Sequence, residues 1–221
     1  PAFFDLKANN KQGEYYLTDI VSWAYNKGFK TTAYSIKDNN EIYGINSRQD
    51  LSTAASILNS KTLDILMNNG VTIIDPASTW ISPETKIGKD TIIYPNSILE
   101  GENNIGENCI IGPNSYIGGN VSTESNVKIF QSRVCNAAIA KNCSIGPFSH
   151  IRDGVDLKEN VRIGNFVEVK KSTVNESTNI AHLSYIGDST LGKNVNIGAG
   201  TITANYDPLT KVKSSTILED G

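Results

Sequence analysis

Residues 86–119 read KIGKDTIIYPNSILEGENNIGENCIIGPNSYIGG, and a large aliphatic side chain returns at every sixth position. With the residue that precedes the stretch, the series is Ile81, Ile87, Ile93, Leu99, Ile105, Ile111 and Ile117. An α-helix turns by about 100° per residue, so a period of six would scatter these side chains around its surface. A strand would need an apolar residue at every second position instead. A coil with three flat sides fits the spacing. Each side takes six residues and a short strand, and the aliphatic residue points inward.

A second run follows at Ile139, Ile145, Ile151, Leu157, Ile163 and Val169. The phase then slips by one residue through Val174, Ile180 and Ile186, and slips again at Leu191 and Ile197. Glycine directly follows the aliphatic residue nine times, for example at Gly88, Gly106, Gly164 and Gly198. These glycines are expected to let the chain turn where a Cβ would crowd. Small or β-branched residues such as Thr91, Ser97, Cys109, Cys143 and Ser149 stand four places after the aliphatic one. No single coil can bury its own stack, so stability must come from piling coil upon coil. The pattern resembles the hexapeptide-repeat, left-handed parallel β-helix, and the expected fold class is mainly β. Many members of that superfamily are acyltransferases, which at the level of fold is analogy alone.

Composition narrows the class without naming a chemistry. The 221 residues carry 20 basic and 23 acidic side chains, a net charge of −3. No basic block suggests nucleic acid or an anionic membrane surface. No apolar run approaches the ~18 residues of a membrane span. The cysteines Cys109, Cys135 and Cys143 have no CxxC spacing, as expected of reduced thiols in a cytoplasmic protein. The chain opens on Pro1, and a start within a longer polypeptide is expected.

Residues 1–75 carry no hexads. EYYLTDIVSWAYNKG (14–28) reads as a helix with Tyr16, Ile20 and Ala24 on one face and Gly28 past its end. FKTTAYSI and EIYGIN read as short strands. Ser47 with Asp50 resembles a capping box opening a helix to about Asn69, with Leu51, Ala55, Leu58, Leu63 and Leu66 as its apolar positions and Gly70 as its stop. The division expected is 1–48 as the end of a larger α/β domain, 49–72 as a linker helix and 73–221 as the β-helix.

NNKQGEYYLTDIV (9–21) and GINSRQDL (44–51) resemble the end of a sugar-nucleotide uridylyltransferase domain. GPFSHIRDG (146–154), IGNFVEVKKS (163–172), AHLSYIGD (181–188) and NIGAGTITANYD (196–207) resemble the β-helix of the same enzymes. The family is the bacterial bifunctional one that joins N-acetylglucosamine-1-phosphate uridylyltransferase to glucosamine-1-phosphate N-acetyltransferase. The resemblance implies acetyl transfer from acetyl-CoA to glucosamine-1-phosphate. The parent would then use UTP and Mg²⁺ to make UDP-N-acetylglucosamine for peptidoglycan and lipopolysaccharide. It also implies a homotrimer, with catalytic sites between neighbouring β-helices.

Acetyl transfer needs a base for the amine, a grip on the phosphate and donors for the oxyanion. By resemblance His182, one of two histidines, is the general base. Arg152, Lys170, Tyr185, Asn196 and Lys211 match positions that bind the sugar phosphate or nucleotide. Ala199, Asn205 and Tyr206 match acetyl-CoA contacts, on a stretch expected to leave the coil between Ala204 and Ser215. Asn46 matches an asparagine that helps hold Mg²⁺ in the uridylyltransferase. Its partner aspartate and the glycine-rich nucleotide loop are not in this sequence, so no uridylyl transfer is expected from these residues alone. On residue type alone, each of these has a plainer reading. His182 could be a packed ring, Arg152 a surface charge paired with Asp153 or Glu168, and Asn46 a turn residue. His150, to which the resemblance gives no role, reads as a solvated face residue.

Two positions depart from the family pattern: Pro208 where glycine is usual, and Asp153 where proline is usual, beside Arg152. The coils and C-terminal arm with which the family continues are expected to supply further acetyl-CoA contacts. Two other readings compete. One is an inactive fragment acting as a trimerising β-helix module, and the other a nucleotidyltransferase whose β-helix is regulatory.

Overall fold

The computed structural model describes residues 5–8 and 11–221, which fall into two compact units, 1–44 and 45–221. Asn9 and Asn10 of the first uridylyltransferase-like motif lie outside the described residues.

The described part of the first unit holds one helix, α1 (Asp19–Asn26), and a 3₁₀ turn at Asn39–Ile42. The helix begins five residues later than the apolar spacing suggests, but it stops where expected. Gly28 adopts φ +79°, its N–H donates to Tyr25 O at 3.0 Å, and Phe29 N–H donates to Ala24 O at 3.0 Å. That pair of bonds is the Schellman closure of a helix end. The strands expected at 29–36 and 41–46 do not form. An isolated strand leaves its ladder groups without partners, and no strand occurs among the described residues of this unit to supply them. None of those residues is buried, as is usual for so short a segment.

The second unit opens with α2 (Arg48–Asn68), capped by Ser47 Oγ, which accepts from Asp50 N–H at 3.1 Å. The Asp50 carboxylate reaches back to Asn46 N–H at 3.1 Å, one residue further than a standard capping box. Only Thr62, Leu63 and Leu66 of this helix are buried, while Leu51 and Leu58 stay half exposed. The helix therefore packs through its C-terminal half. Its Asn59 donates to Thr79 O at 2.8 Å and accepts from Ile81 N–H at 3.1 Å, satisfying the open edge of the first coil's strand there.

From Thr72 onward the chain is a left-handed parallel β-helix. Its first face runs from Thr72–Ile73 to Asn196–Ile197 in eight strands, its second from Trp80–Ile81 to Tyr185–Gly187 in seven, and its third from Lys86–Ile87 to Thr216–Leu218 in eight. Every pairing between named strands is parallel, and each coil aligns its aliphatic residue on the one beneath: Ile111 on Ile129, Ile145 on Ile163, Ile163 on Ile180. All the sixth-position aliphatics are buried except Ile87, which packs partly buried against the core. The stretch between Ile117 and Ile139 keeps the coil although its hexads are hidden. Thr123 fills one inward place, paired with Ile139, and Val134 pairs with Ile117 after a five-residue side.

The small residues four places on form a second inner ladder. Thr91 Oγ1 donates to Gly106 O at 2.8 Å and accepts from Cys109 N–H at 3.0 Å, and Ser149 Oγ donates to Gly164 O at 2.7 Å. Cys109 and Cys143 sit in the same ladder as free thiols, and burial pushes Cys143 up to about 11. Of the repeat glycines, Gly112 and Gly146 do turn the chain, at φ +101° and +104°, but others serve a different purpose. A Cβ on Gly106 would lie 2.4 Å from Glu124 O, and one on Gly164 would lie 2.0 Å from Ala181 O, so they admit the backbone of the next coil. Among non-glycine residues the left-handed corners are taken most often by asparagine, as at Asn108, Asn126, Asn142 and Asn160, which tolerates that region best after glycine. Among the described residues no helix is long and apolar enough to cross a membrane.

Candidate active site

The candidate residues gather around the second face in the last coils. Strand register places Cys135, Arg152, Lys170 and Gly187 in one outward file, and Arg133, His150, Glu168 and Tyr185 in the file beside it. Parallel pairing thus turns residues 17 or 18 apart in sequence into direct neighbours. Arg152 Nη1 bonds Glu168 Oε1 at 2.7 Å, which makes Glu168 the partner and raises the guanidinium's pKa. Asp153 does not orient Arg152; its Oδ1 accepts from Asn136 Nδ2 at 2.9 Å. Lys170 is half-buried and has no ion-pair partner among the described residues.

His182 ends the strand Asn179–His182 at the corner leading to that face, and its ring is exposed. Its Nδ1 lies 3.2 Å from Asn165 Oδ1, and the two residues pair in register. With Nδ1–H donated to the amide oxygen, Nε2 is left as the free acceptor. Next to it runs a ridge of corner residues with large apolar side chains. Phe148, Phe166 and Leu183 all have positive φ and are all more than half exposed, and the two phenyl rings stack at 5.6 Å.

Asn196 opens the following coil on the first face, where its Oδ1 accepts from Asn179 Nδ2 at 3.1 Å. The Ala199 amide has no protein acceptor among the described residues, and a Cβ at Gly198 or Gly200 would meet nothing within 4 Å. This backbone is open to a ligand. At the opposite corner the chain leaves the coil as expected. Tyr206 and Lys213 form an antiparallel bridge, Asp207 N–H donates to Val212 O at 3.0 Å, and the Asp207 carboxylate closes the turn on Leu209 and Thr210. Asn205 at the base of this hairpin is buried, while Tyr206 and Lys211 are exposed.

Residues 84–119 and 136–171 match the family model described as bacterial transferase hexapeptide (six repeats). The bifunctional protein GlmU of Thermodesulfovibrio yellowstonii is 50% identical over 217 residues, which cover 98% of this chain and 47% of that protein. GlmU of Acetivibrio thermocellus is 46% identical over 219 residues (99% and 47%), and GlmU of Thermotoga maritima 46% over 217 (98% and 47%). The chain resembles the bifunctional GlmU proteins along nearly its whole length. It spans about half the length of these curated relatives.

Against the GlmU-like expectations, the structure brings Arg152, Lys170 and Tyr185 onto one face. His182 and Asn205 lie at that face's two edges, and Asn196 lies around the corner. Asn46 stands apart, exposed before α2 at the first coil's end of the unit. A lone neutral amide is a poor start for Mg²⁺, which takes carboxylate and phosphate oxygens. No group of three or more His, Cys, Asp or Glu able to hold a metal occurs among the described residues, so the residues around Asn46 do not fit the ion. His150 departs from its reading as a solvated residue. It is half-buried between Arg133 and Glu168, and burial lowers its pKa first, with Glu168 opposing and Arg152 and Arg133 adding to the effect. Asn165 and Glu168 were not singled out from the sequence as site residues. Glu168 had been named only as one of two possible ion-pair partners of Arg152; the signal for Asn165 is its position one coil away from His182, visible once the register is known.

Proposed function

We propose that this chain transfers the acetyl group of acetyl-CoA to the amine of glucosamine-1-phosphate, giving N-acetylglucosamine-1-phosphate. It would act within a longer protein that then makes UDP-N-acetylglucosamine from UTP. In this reading residues 1–48 close a uridylyltransferase domain, 49–72 link, and 73–221 carry the acetyl transfer. The observation that carries it is His182, exposed and held by Asn165 with Nε2 free, at the edge of a face that presents Arg152 and Lys170.

The geometry suits the reaction step by step. His182 Nε2 takes a proton from the substrate amine as its nitrogen attacks the thioester carbonyl carbon. The oxyanion that forms is received by the unpartnered Ala199 N–H. Collapse breaks the C–S bond, and the imidazolium returns the proton to the departing thiolate. Arg152 and Lys170 hold the sugar phosphate, while Tyr185 and Asn196 orient hydroxyls and amine. Asn205 and Tyr206 line the approach of the acyl donor, and Lys211, on the same hairpin, adds a cation for the sugar phosphate. The exposed Phe148–Phe166 ridge beside His182 supports an assembly in which a neighbouring copy covers it, as in a homotrimer.

The test is thiol release from acetyl-CoA in the presence of glucosamine-1-phosphate, with this chain beside His182→Ala. Release that the substitution abolishes supports the reading. No release from the unaltered chain, or equal release from both, overturns it for these residues.

A further inference from the structure

The hairpin that leaves the coil after Thr203 is fastened at both stems to one corner residue of the coil beneath. Asp188 occupies a left-handed corner with φ +47°. Its Oδ2 accepts from Asn205 Nδ2 at 2.7 Å on the outgoing stem, and Asn205 also donates to Gly187 O at 2.9 Å. Lys213 Nζ stands 3.9 Å from the same carboxylate oxygen on the returning stem. Thr216 N–H, where the chain re-enters the third face, donates to Asp188 O at 3.3 Å. Thr203 Oγ1 accepts from Gly187 N–H at 2.8 Å, so the residue before Asp188 grips the outgoing stem as well. Within the hairpin, Ser214 N–H to Asn205 O at 2.9 Å and Asp207 N–H to Val212 O at 3.0 Å tie one stem to the other.

A ten-residue excursion with Leu209, Val212 and Tyr206 exposed has little packing to fix its direction. Its direction must come from its base, and the base is Asp188. We infer that Asp188 is a positioning residue: its carboxylate latches the 205–214 hairpin against the rim of the second face and sets how the acyl donor is received. This rests on the acetyl-transfer reading above. Asp188 makes no contact with the reacting atoms in that scheme. The side chain it holds, Asn205, is the one buried member of the donor-side group. Loss of a charge-assisted bond to a buried amide leaves that amide's donor unmatched, which is the costlier half of such a deletion.

The experiment compares Asp188→Ala and Asp188→Asn with the unaltered chain in acetyl-transfer kinetics and in hydrogen exchange of a peptide covering 204–216. Asp188→Ala is expected to raise the KM for acetyl-CoA by about tenfold or more, to raise the KM for glucosamine-1-phosphate much less, through Lys211 alone, and to speed exchange at Asp207, Ser214 and Thr216. Asp188→Asn keeps an acceptor oxygen and is expected to recover most of both effects. Unchanged exchange and unchanged acetyl-CoA KM in Asp188→Ala would overturn the latch, as would an equal rise in both KM values, the mark of general disruption. Faster hairpin exchange in a chain that shows no acetyl transfer would uphold the latch and sink the acetyltransferase reading instead.

Discussion

Asn165 Oδ1 and His182 Nδ1 meet at 3.2 Å because they occupy the same place in successive coils. A base whose tautomer is set by a neighbour loses most when it is removed and less when the neighbour is. His182→Ala should lower kcat by about 10²–10⁴-fold with the fold intact by circular dichroism. Asn165→Ala should cost roughly tenfold in kcat, since the ring remains but loses the bond that orients it. Near-normal turnover of His182→Ala would remove the histidine from the mechanism.

The Arg152–Glu168 pair is open to water on both sides, so its contribution to stability is small. Arg152→Ala should therefore leave the melting temperature unchanged and raise the KM for glucosamine-1-phosphate. Arg152→Lys should fall between, because the ammonium keeps the charge and loses the fork. A drop in melting temperature with an unchanged KM would make the arginine structural.

Two glycines of the same repeat position should respond in opposite ways. Gly164→Ala drives a Cβ to 2.0 Å from Ala181 O and should destabilise the chain by about 1–3 kcal/mol or more in thermal or urea unfolding. Gly198→Ala meets open space and should unfold like the unaltered chain while losing acetyl-CoA affinity. Equal stability losses would show that the glycine's value lies in its backbone freedom rather than in clearance.

His150 gives the fold a dependence on pH. Its folded pKa is lowered by burial, so below the unfolded value of about 6.5 the unfolded chain binds the extra proton. The stability held by the neutral ring is complete above that pH and is lost as pH falls through the folded pKa. His150→Gln should unfold with a shallower decline from about pH 7 downward than the unaltered chain. Parallel declines would mean the ring titrates alike in both states.

The cysteines should separate by rate. Cys135, half-buried on the second face, should react first with a thiol-specific reagent at neutral pH. Cys109 and Cys143 should react only in denaturant, because both are buried and the Cys143 thiol is held near 11. Rapid labelling of all three in the folded chain would contradict the packed inner ladder.

The coil was legible because its constraint is repeated. Ile93, Ile111, Ile129, Ile145 and Ile163 each fill the same inward place, so a substitution in one hexad leaves the period visible in the others. Where Thr123 takes the inward place on the third face the aliphatic pattern breaks on paper although the coil continues, because the buried threonine still stacks on Ile139 and its hydroxyl accepts from Gly106 N–H at 3.0 Å. The strands expected before Ser47 failed for the opposite reason: a local β-rich run carries no information about a partner strand. Of the site, His182 and Arg152 could be named from motifs of known relatives. Asn165 and Asp188 act on residues about one coil away, and which of two acids pairs with Arg152 is likewise decided by register, which is known only after the five-residue sides ending at Val134, Ile139, Val174 and Leu191 have been counted correctly. Register, and not residue type, separates the two groups.

The parallel ladders have one more consequence. In each inner coil, backbone donors and acceptors are spent on the coils before and after it, along the long axis. The three lateral walls therefore offer a neighbour side chains alone. Anything that docks there, whether another copy or a small molecule, cannot be recruited by strand addition. The walls can change what they recognise by swapping outward residues such as Arg133, Arg152 or Phe166, while the inward stack that keeps the coils in register stays untouched.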